Sequence, residues 1–240
     1  MSKHPPQVRC QGRSNCFACA LRQDMVCSDV TLDDLVDFHA GIDDFDYSHG
    51  ATLFGMGAPT EAVYCIRGGA VKMVRFDAAG GERIVRVLKV GDVAGFESAF
   101  ADNYEHAAIA VGEVRACRIP IVYFRRFVAE HAGLQARLLE KSQAALREAE
   151  SWLTELVGGT TPARTRVARL LLRLRVGSGD RIHRFSVDDM AAIIGSTPET
   201  VSRAVSEFVR QGLLVKGGSG AAKRHFRGDI AALEKVSQDG

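Results

Sequence analysis

With 240 residues, 46% hydrophobic and 25% charged, the chain is long enough for two folded domains of ordinary soluble composition. Its opening, Met1-Ser2-Lys3-His4-Pro5-Pro6, lacks the apolar stretch of a secretory signal, and no uninterrupted apolar run reaches the ~18–20 residues that cross a bilayer, so a cytoplasmic protein without a membrane segment is expected. The net charge of +2 conceals a split, because residues 1–159 carry 17 Lys+Arg against 21 Asp+Glu while residues 160–240 carry 14 against 8, which makes the second part the one suited to phosphates.

Residues 1–28 are polar and bear cysteines without any sustained period, which predicts an irregular arm. Cys16 and Cys19 form a CxxC pair, Cys27 follows, and Cys117 lies far downstream, so three thiolates of one short loop could meet a fourth from the domain body around a metal. A reducing compartment disfavours disulfides, and soft sulfur ligands suit either an iron–sulfur cluster or a closed zinc site; the spacing alone does not choose between them. Cys65, between Tyr64 and Ile66, reads as a small core residue. The seven histidines show no metal-type spacing.

Thr31 with Asp34 at the capping-box position predicts a short helix at 31–38. Short β-type runs follow at 62–67, 70–76, 83–88, 107–111 and 114–119, with turns at Gly68-Gly69, Asp77 to Gly81 and Gly91-Asp92; this is the texture of a small barrel or roll. From Ile121 to about Val157 the period becomes helical, with Leu138, Ser142, Ala145, Ala149, Trp152 and Leu156 on one stripe. A buried stripe of this kind can cover the roll, but a helix approaching ~30 residues exceeds what one small domain needs, so pairing with a second copy is expected at least equally. Gly158 to Pro162 breaks it and supplies a hinge.

The basic part holds two helices in tandem. Ser186 caps the first, Gly195 ends it, Thr197 caps the second and Pro198 takes its first position. Val201, Val205 and Phe208 fall on one face, leaving Glu199, Ser202, Arg203 and Ser206 on the other. A carboxylate can accept from cytosine N4 and a guanidinium can donate in bidentate fashion to guanine, so Glu199 and Arg203 are the residues expected to read bases in a major groove. Leu213 to Val215, the glycines at 217–220 and His225-Phe226 predict a wing.

Glu199-Thr200-Val201-Ser202-Arg203, the CxxC with its third cysteine, and Cys117-Arg118-Ile119-Pro120 resemble the FNR subgroup of the cyclic-AMP-receptor/FNR (CRP/FNR) superfamily of bacterial transcription factors over nearly the whole chain. The resemblance implies an α+β protein: a cysteine-bearing arm (1–28), a cyclic-nucleotide-binding-like β-roll sensor (29–120), a dimerisation helix and hinge (121–159), and a winged helix-turn-helix (160–240). It implies a homodimeric, oxygen-responsive, non-enzymatic regulator of double-stranded DNA and RNA polymerase. A 4Fe–4S cluster would sit on Cys16, Cys19, Cys27 and Cys117, with Cys10 and Cys65 outside the ligand set. Thr197, Glu199, Thr200, Ser202 and Arg203 would contact DNA at TTGAT-type half-sites. A zinc-stabilised, nitric-oxide- or haem-responsive regulator and a thiol redox protein are the alternatives. Members that bind cyclic nucleotides carry an arginine and a hydroxyl in the cassette matching Gly91 to Ala108; this chain lacks both, so no cyclic nucleotide is expected.

Overall fold

The computed structural model describes residues 5–24, 28, 31, 33, 36, 39, 41–77, 80–157, 160–218 and 225–239. The chain forms two compact units, Met1–Gly81 with Val85–Leu146, and Glu82–Ile84 with Arg147–Gly240. Cys27, Asp34, Gly158, Gly159, Ser219 and Gly220 lie outside the described residues, and with them the third thiol of the loop, the capping box, the hinge glycines and part of the wing turn.

The N-terminal unit is built on one sheet. Strands β1 (Val8–Arg13), β2 (Asp43–Tyr47), β7 (Ala107–Pro120), β4 (Ala62–Phe76) and β5 (Glu82–Leu88) are neighbours in that order; β3 (Thr52–Phe54) joins β7, and β6 (Val93–Ala94) joins β4. The arm expected to be irregular therefore contributes a strand. All six residues of β1 are exposed, and the strand is held by its antiparallel pairing to β2, with a bulge between Cys10 and Gly12.

The separate runs expected at 62–67 and 70–76 are one bent strand, as are those at 107–111 and 114–119. β4 and β7 pair from Ala62↔Pro120 to Val74↔Ala107, with the register shifting around Gly68. Gly68-Gly69 is a bulge rather than a turn: Gly69 has φ +83°, and a Cβ there would meet the Glu113 carbonyl oxygen at 2.2 Å. The strand bends without ending.

Ala62 to Ile66 is apolar at every position because both faces of β4 are covered. Tyr64 and Ile66 join Phe54, Met73, Leu88 and Tyr104 in one cluster, while Val63 and Cys65 join Phe96, Ile119, Phe124, Phe127 and Leu138 in another. The second cluster is roofed by two helices, α1 (Ile121–Glu130) and α2 (Ala132–Glu155), where the periodicity predicted one. His131 interrupts them in extended backbone at φ −124°, and its Nδ1 lies 2.9 Å from the Phe127 carbonyl oxygen. The helix also carries a second apolar row beside the predicted stripe. Leu138, Trp152 and Leu156 are buried against their own chain, whereas Leu139, Leu146 and Leu153, seven residues apart, are more than 60% exposed.

The C-terminal unit packs α3 (Ala163–Arg173), α4 (Val187–Ile194), α5 (Pro198–Arg210) and α6 (Ile230–Gln238). A three-stranded sheet in the order β8 (Arg181–His183), β10 (His225–Gly228), β9 (Leu214–Lys216) forms the wing. The sequence signalled β9 and β10; β8 is an addition. Val167, Leu170, Leu171, Ile182, Ile194, Val201, Phe208 and Leu233 are fully inaccessible to solvent. No described helix is long and apolar enough to cross a membrane.

Candidate nucleic-acid interface and metal centre

Local hydrogen bonds fix the tandem helices as the sequence predicts. Ser186 Oγ accepts the Asp189 N–H at 2.9 Å, and Gly195 closes α4 in left-handed backbone at φ 60°. Thr197 Oγ1 accepts the Thr200 N–H at 3.3 Å, with Pro198 at the first position of α5. Val201, Ala204, Val205 and Phe208 are buried; Thr197, Glu199, Ser202, Arg203 and Ser206 are exposed, and Thr200 is half-buried. Glu199 and Arg203 are four residues apart, yet among the described residues no ion pair or hydrogen bond occupies either side chain.

The basic excess of this unit is divided between structure and surface. Arg164 pairs with Glu207 at 3.1 Å, Arg166 donates to the Ile194 carbonyl at 2.6 Å, Arg169 to the Ser237 carbonyl at 2.9 Å, and Arg173 pairs with Glu155 at 2.6 Å. Hydrogen bonds from Ser151 and Arg173 outweigh partial burial and hold the Glu155 carboxyl below its ordinary range. These α3 arginines fasten the helix to its neighbours. Arg181, Arg203, Arg210 and Lys216 have no such partner among the described residues, so they are among the cations free to meet phosphate or base.

The described cysteines divide between the exposed strand β1, the turns that follow it, and one buried cluster that holds both Cys16 and Cys65. Cys10 is exposed on β1. Cys65 is buried, as expected of a core residue. Cys16 is 8% exposed in the cluster beneath α1 and α2, and Cys117 packs against that same cluster. Cys19 lies one turn after Cys16, its N–H donating to the Cys16 carbonyl at 3.4 Å. Among the described residues no three of His, Cys, Asp and Glu are gathered closely enough to hold a metal ion.

A polar network surrounds Cys117. Its thiol donates to Asp44 Oδ1 at 3.3 Å; Ser14 Oγ donates to the same oxygen at 2.5 Å, and Arg67 Nη1 donates to Asp44 Oδ2 at 2.6 Å and approaches Cys117 Sγ at 3.9 Å. Burial tends to raise the Asp44 pKa, but the hydrogen bonds from Arg67, Ser14 and Cys117 together keep it below the usual carboxylate range. Burial pushes the Cys117 thiol up to about 12. Asp44 foremost, and then the nearby Cys117 and Cys19, strengthen the Arg67 cation. Sequence reading identified the cysteines but none of these three partners.

In the stretch that matches the cyclic-nucleotide cassette, the Phe96 ring is buried in the core, with the Arg86 guanidinium 5.8 Å from its centroid. His106 Nδ1 stands 4.0 Å from Glu97 Oε1, and burial draws the imidazole pKa down, favouring the neutral ring. His106 is followed by Ala107 and Ala108 in this stretch.

The geometry agrees with what the chain is similar to. Residues 45–131 match the cyclic nucleotide-binding domain family, and residues 165–235 match the Crp-like helix-turn-helix domain family. The nitrogen fixation regulation protein FixK of Bradyrhizobium diazoefficiens is 29% identical over 212 residues, covering 85% of this chain and 88% of that protein. The CRP-like cAMP-activated global transcriptional regulator of Mycobacterium tuberculosis is 27% identical over 173 residues, 70% of this chain and 77% of its own length. The solved structure of FixK2 from Bradyrhizobium japonicum superposes with a TM-score of 0.68 at 28% identity, covering 83% of this chain and 98% of that one. With a sheet-rich cyclic-nucleotide-binding-type domain followed by a Crp-like helix-turn-helix, the chain belongs to the CRP/FNR superfamily of DNA-binding transcriptional regulators.

Proposed function

We propose that this protein is a homodimeric, cytoplasmic regulator of the FNR type, which responds to oxygen through a 4Fe–4S cluster held by Cys16, Cys19, Cys27 and Cys117 and engages inverted-repeat DNA together with RNA polymerase. The observation that carries the reading is that Cys16 and Cys117, remote in sequence, meet at one cluster at the root of the long helix α2, where Cys65 is a buried core member while Cys117 stays half-buried beside Arg67. The donors suit the group: soft sulfurs at an apolar boundary, with the Arg67 cation beside them to offset the negative charge of four thiolates. Bound there, the cluster supplies an oxygen-labile link between the arm and the domain body. The protein's own residues do the rest, since Leu138 and Phe127 join the cysteines to the face of α2 and α1 that lies over the roll.

The stretch from Gly91 to Ala108 carries neither the arginine nor the paired hydroxyl that would meet a cyclic phosphate, which supports a roll that senses without such a ligand. Cys16 and Cys19 lie in turns that follow β1 rather than at the start of a helix, which disfavours a thioredoxin-like redox pair.

Anaerobic purification of wild type and of single Cys→Ser variants tests the metal reading, with iron, sulfide and zinc measured on each. Cys16→Ser, Cys19→Ser, Cys27→Ser and Cys117→Ser should each abolish the visible absorption and most of the iron; Cys10→Ser and Cys65→Ser should retain both. Colourless wild type containing stoichiometric zinc identifies the closed zinc site instead.

The second copy is expected to dock along Leu139, Leu146 and Leu153. Their seven-residue spacing is that of a left-handed coiled-coil seam, and all three lack an intrachain cover. Leu146→Glu removes two apolar side chains per dimer, each contributing roughly 1.5–3 kcal/mol when buried, and should weaken dimerisation by on the order of a hundredfold or more. Sedimentation equilibrium reads this directly; an unchanged dimer constant places the seam elsewhere.

A further inference from the structure

The network around Cys117 is assembled from four separate segments. Asp44 on β2 faces Cys117 on β7 as a direct register partner, and Cys117 in turn faces Cys65 on β4. Arg67 stands two residues beyond Cys65 on the same strand. Ser14, the residue that follows β1, is 1% exposed; its N–H donates to the Ile42 carbonyl at 3.0 Å and its hydroxyl reaches Asp44. Asp44 thus accepts from the arm, from β4 and from the thiol at once.

A carboxylate in a strand, beside a thiol, is a poor choice for stability alone: aspartate is disfavoured in strands, and a half-buried charge must recover its lost hydration from its partners. Its hydrogen bond to Cys117 also exists only while the sulfur carries a proton. A sulfur bound to metal has lost that proton, so Asp44 then faces a negatively charged ligand; Arg67 and the Ser14 hydroxyl are the donors beside the sulfur, and of the two only Arg67 brings a positive charge.

Building on the function proposed above, we infer that Arg67 and Asp44 are opposed positioning residues for Cys117: Arg67 holds the sulfur in its metal-bound form, and Asp44 holds it in its metal-free form while securing the arm through Ser14. Arg67 acts through charge and a hydrogen bond to sulfur, the two levers by which surroundings tune a thiolate-held cluster. Asp44 competes. Because its other oxygen is already paired with Arg67, release of the thiol frees Arg67 to turn toward sulfur only as the Ser14–Asp44–Arg67 arrangement rearranges, so the state of the metal site is coupled to the attachment of β1.

The test uses full-length Arg67→Gln, Arg67→Lys and Asp44→Asn, purified and reconstituted anaerobically with iron and sulfide. The readouts are bound iron and sulfide, the half-time for loss of visible absorption after exposure to air, and hydrogen exchange of the β1 amides before and after that loss. Arg67→Gln should shorten the half-time by on the order of tenfold, the scale of outer-sphere substitutions at metal sites. Arg67→Lys, which keeps the charge, should recover most of it, and Asp44→Asn should lengthen it. Opposite signs are the signature, because a packing defect would shorten the half-time in every variant. In wild type the β1 amides should exchange at different rates in the two states, and Asp44→Asn should reduce that difference.

Wild-type half-times in both Arg67→Gln and Asp44→Asn overturn the inference and leave the cluster intact. So does a shortened half-time in Asp44→Asn equal to that of Arg67→Gln. Wild type that takes up neither iron nor sulfide overturns the function reading and this inference together. Should Arg67→Gln fail to fold, Arg67→Lys and Asp44→Asn still carry the decision through the sign of the Asp44→Asn effect.

Discussion

Arg203→Ala should lose about 1–3 kcal/mol of binding on the preferred inverted repeat and relax the preference for guanine at one position in each half-site. The exposed guanidinium projects from the first turns of α5 and is unoccupied by Glu199 or any other described group, so its whole donor fork is available. Glu199 gives the sharper comparison. It is an anion directed at a polyanion, and if it were merely nearby, Glu199→Gln would tighten binding to every sequence. Acting as an acceptor from cytosine, it should instead show weakened cognate binding in that variant, with random DNA unchanged or bound more tightly. Titrations on matched and single-base-altered sites at one salt concentration separate the two, and a uniform gain would remove the reading role. Arg181→Ala serves as the control. As a phosphate-facing cation it should weaken all sequences about equally and flatten the salt dependence.

Phe208→Ala should cost the C-terminal unit about 3–5 kcal/mol, the range for deleting a fully buried phenyl ring. Phe208 is inaccessible to solvent, and the Arg164 guanidinium lies 5.2 Å from its ring centroid. Losing the ring therefore opens a cavity and also removes the surface against which that arginine rests. Trp152, the chain's single tryptophan, is buried within the same unit and offers a local probe. Its fluorescence in a urea titration should show the midpoint moving to lower denaturant. A midpoint equivalent to a loss below about 1 kcal/mol would mean that Phe208 is not the centre of this core.

The helix-turn-helix was legible in the sequence because everything that defines it is local. Ser186, Gly195, Thr197 and Pro198 act on backbone within four residues of themselves, and the burial of Val201, Val205 and Phe208 follows from helical spacing alone. The roll was legible in texture but not in connection. Gly68-Gly69 looks like a turn when read along the chain, and only the opposing Glu113 carbonyl reveals the bulge. β1 escaped notice because an edge strand held by backbone hydrogen bonds need not alternate, and all six of its residues are exposed.

The long helix admitted two readings. Leu138, Trp152 and Leu156 satisfy a helical stripe equally well whether they meet their own chain or another, and the exposed leucines one position along went unread. Asp44, Arg67 and Ser14 meet Cys117 only through strand register, so the partners of the thiol have no signature in spacing. The cysteines were legible as candidate ligands from their pattern; strand register and packing, which spacing does not show, decide what surrounds each of them, and Cys27 lies outside the described residues.

The pairing of β1 onto β2 also bears on solubility. An open sheet edge is a template on which other chains can aggregate, and here the outermost strand carries Arg9 and Arg13 and is kinked by its bulge, both of which discourage addition of a further strand. The strand it covers is guarded in its own right: Asp43, Asp44 and Asp46 place three carboxylates along β2. A chain whose arm has detached would therefore present an edge that repels its own kind, and the protein could pass through that state without being lost to precipitation.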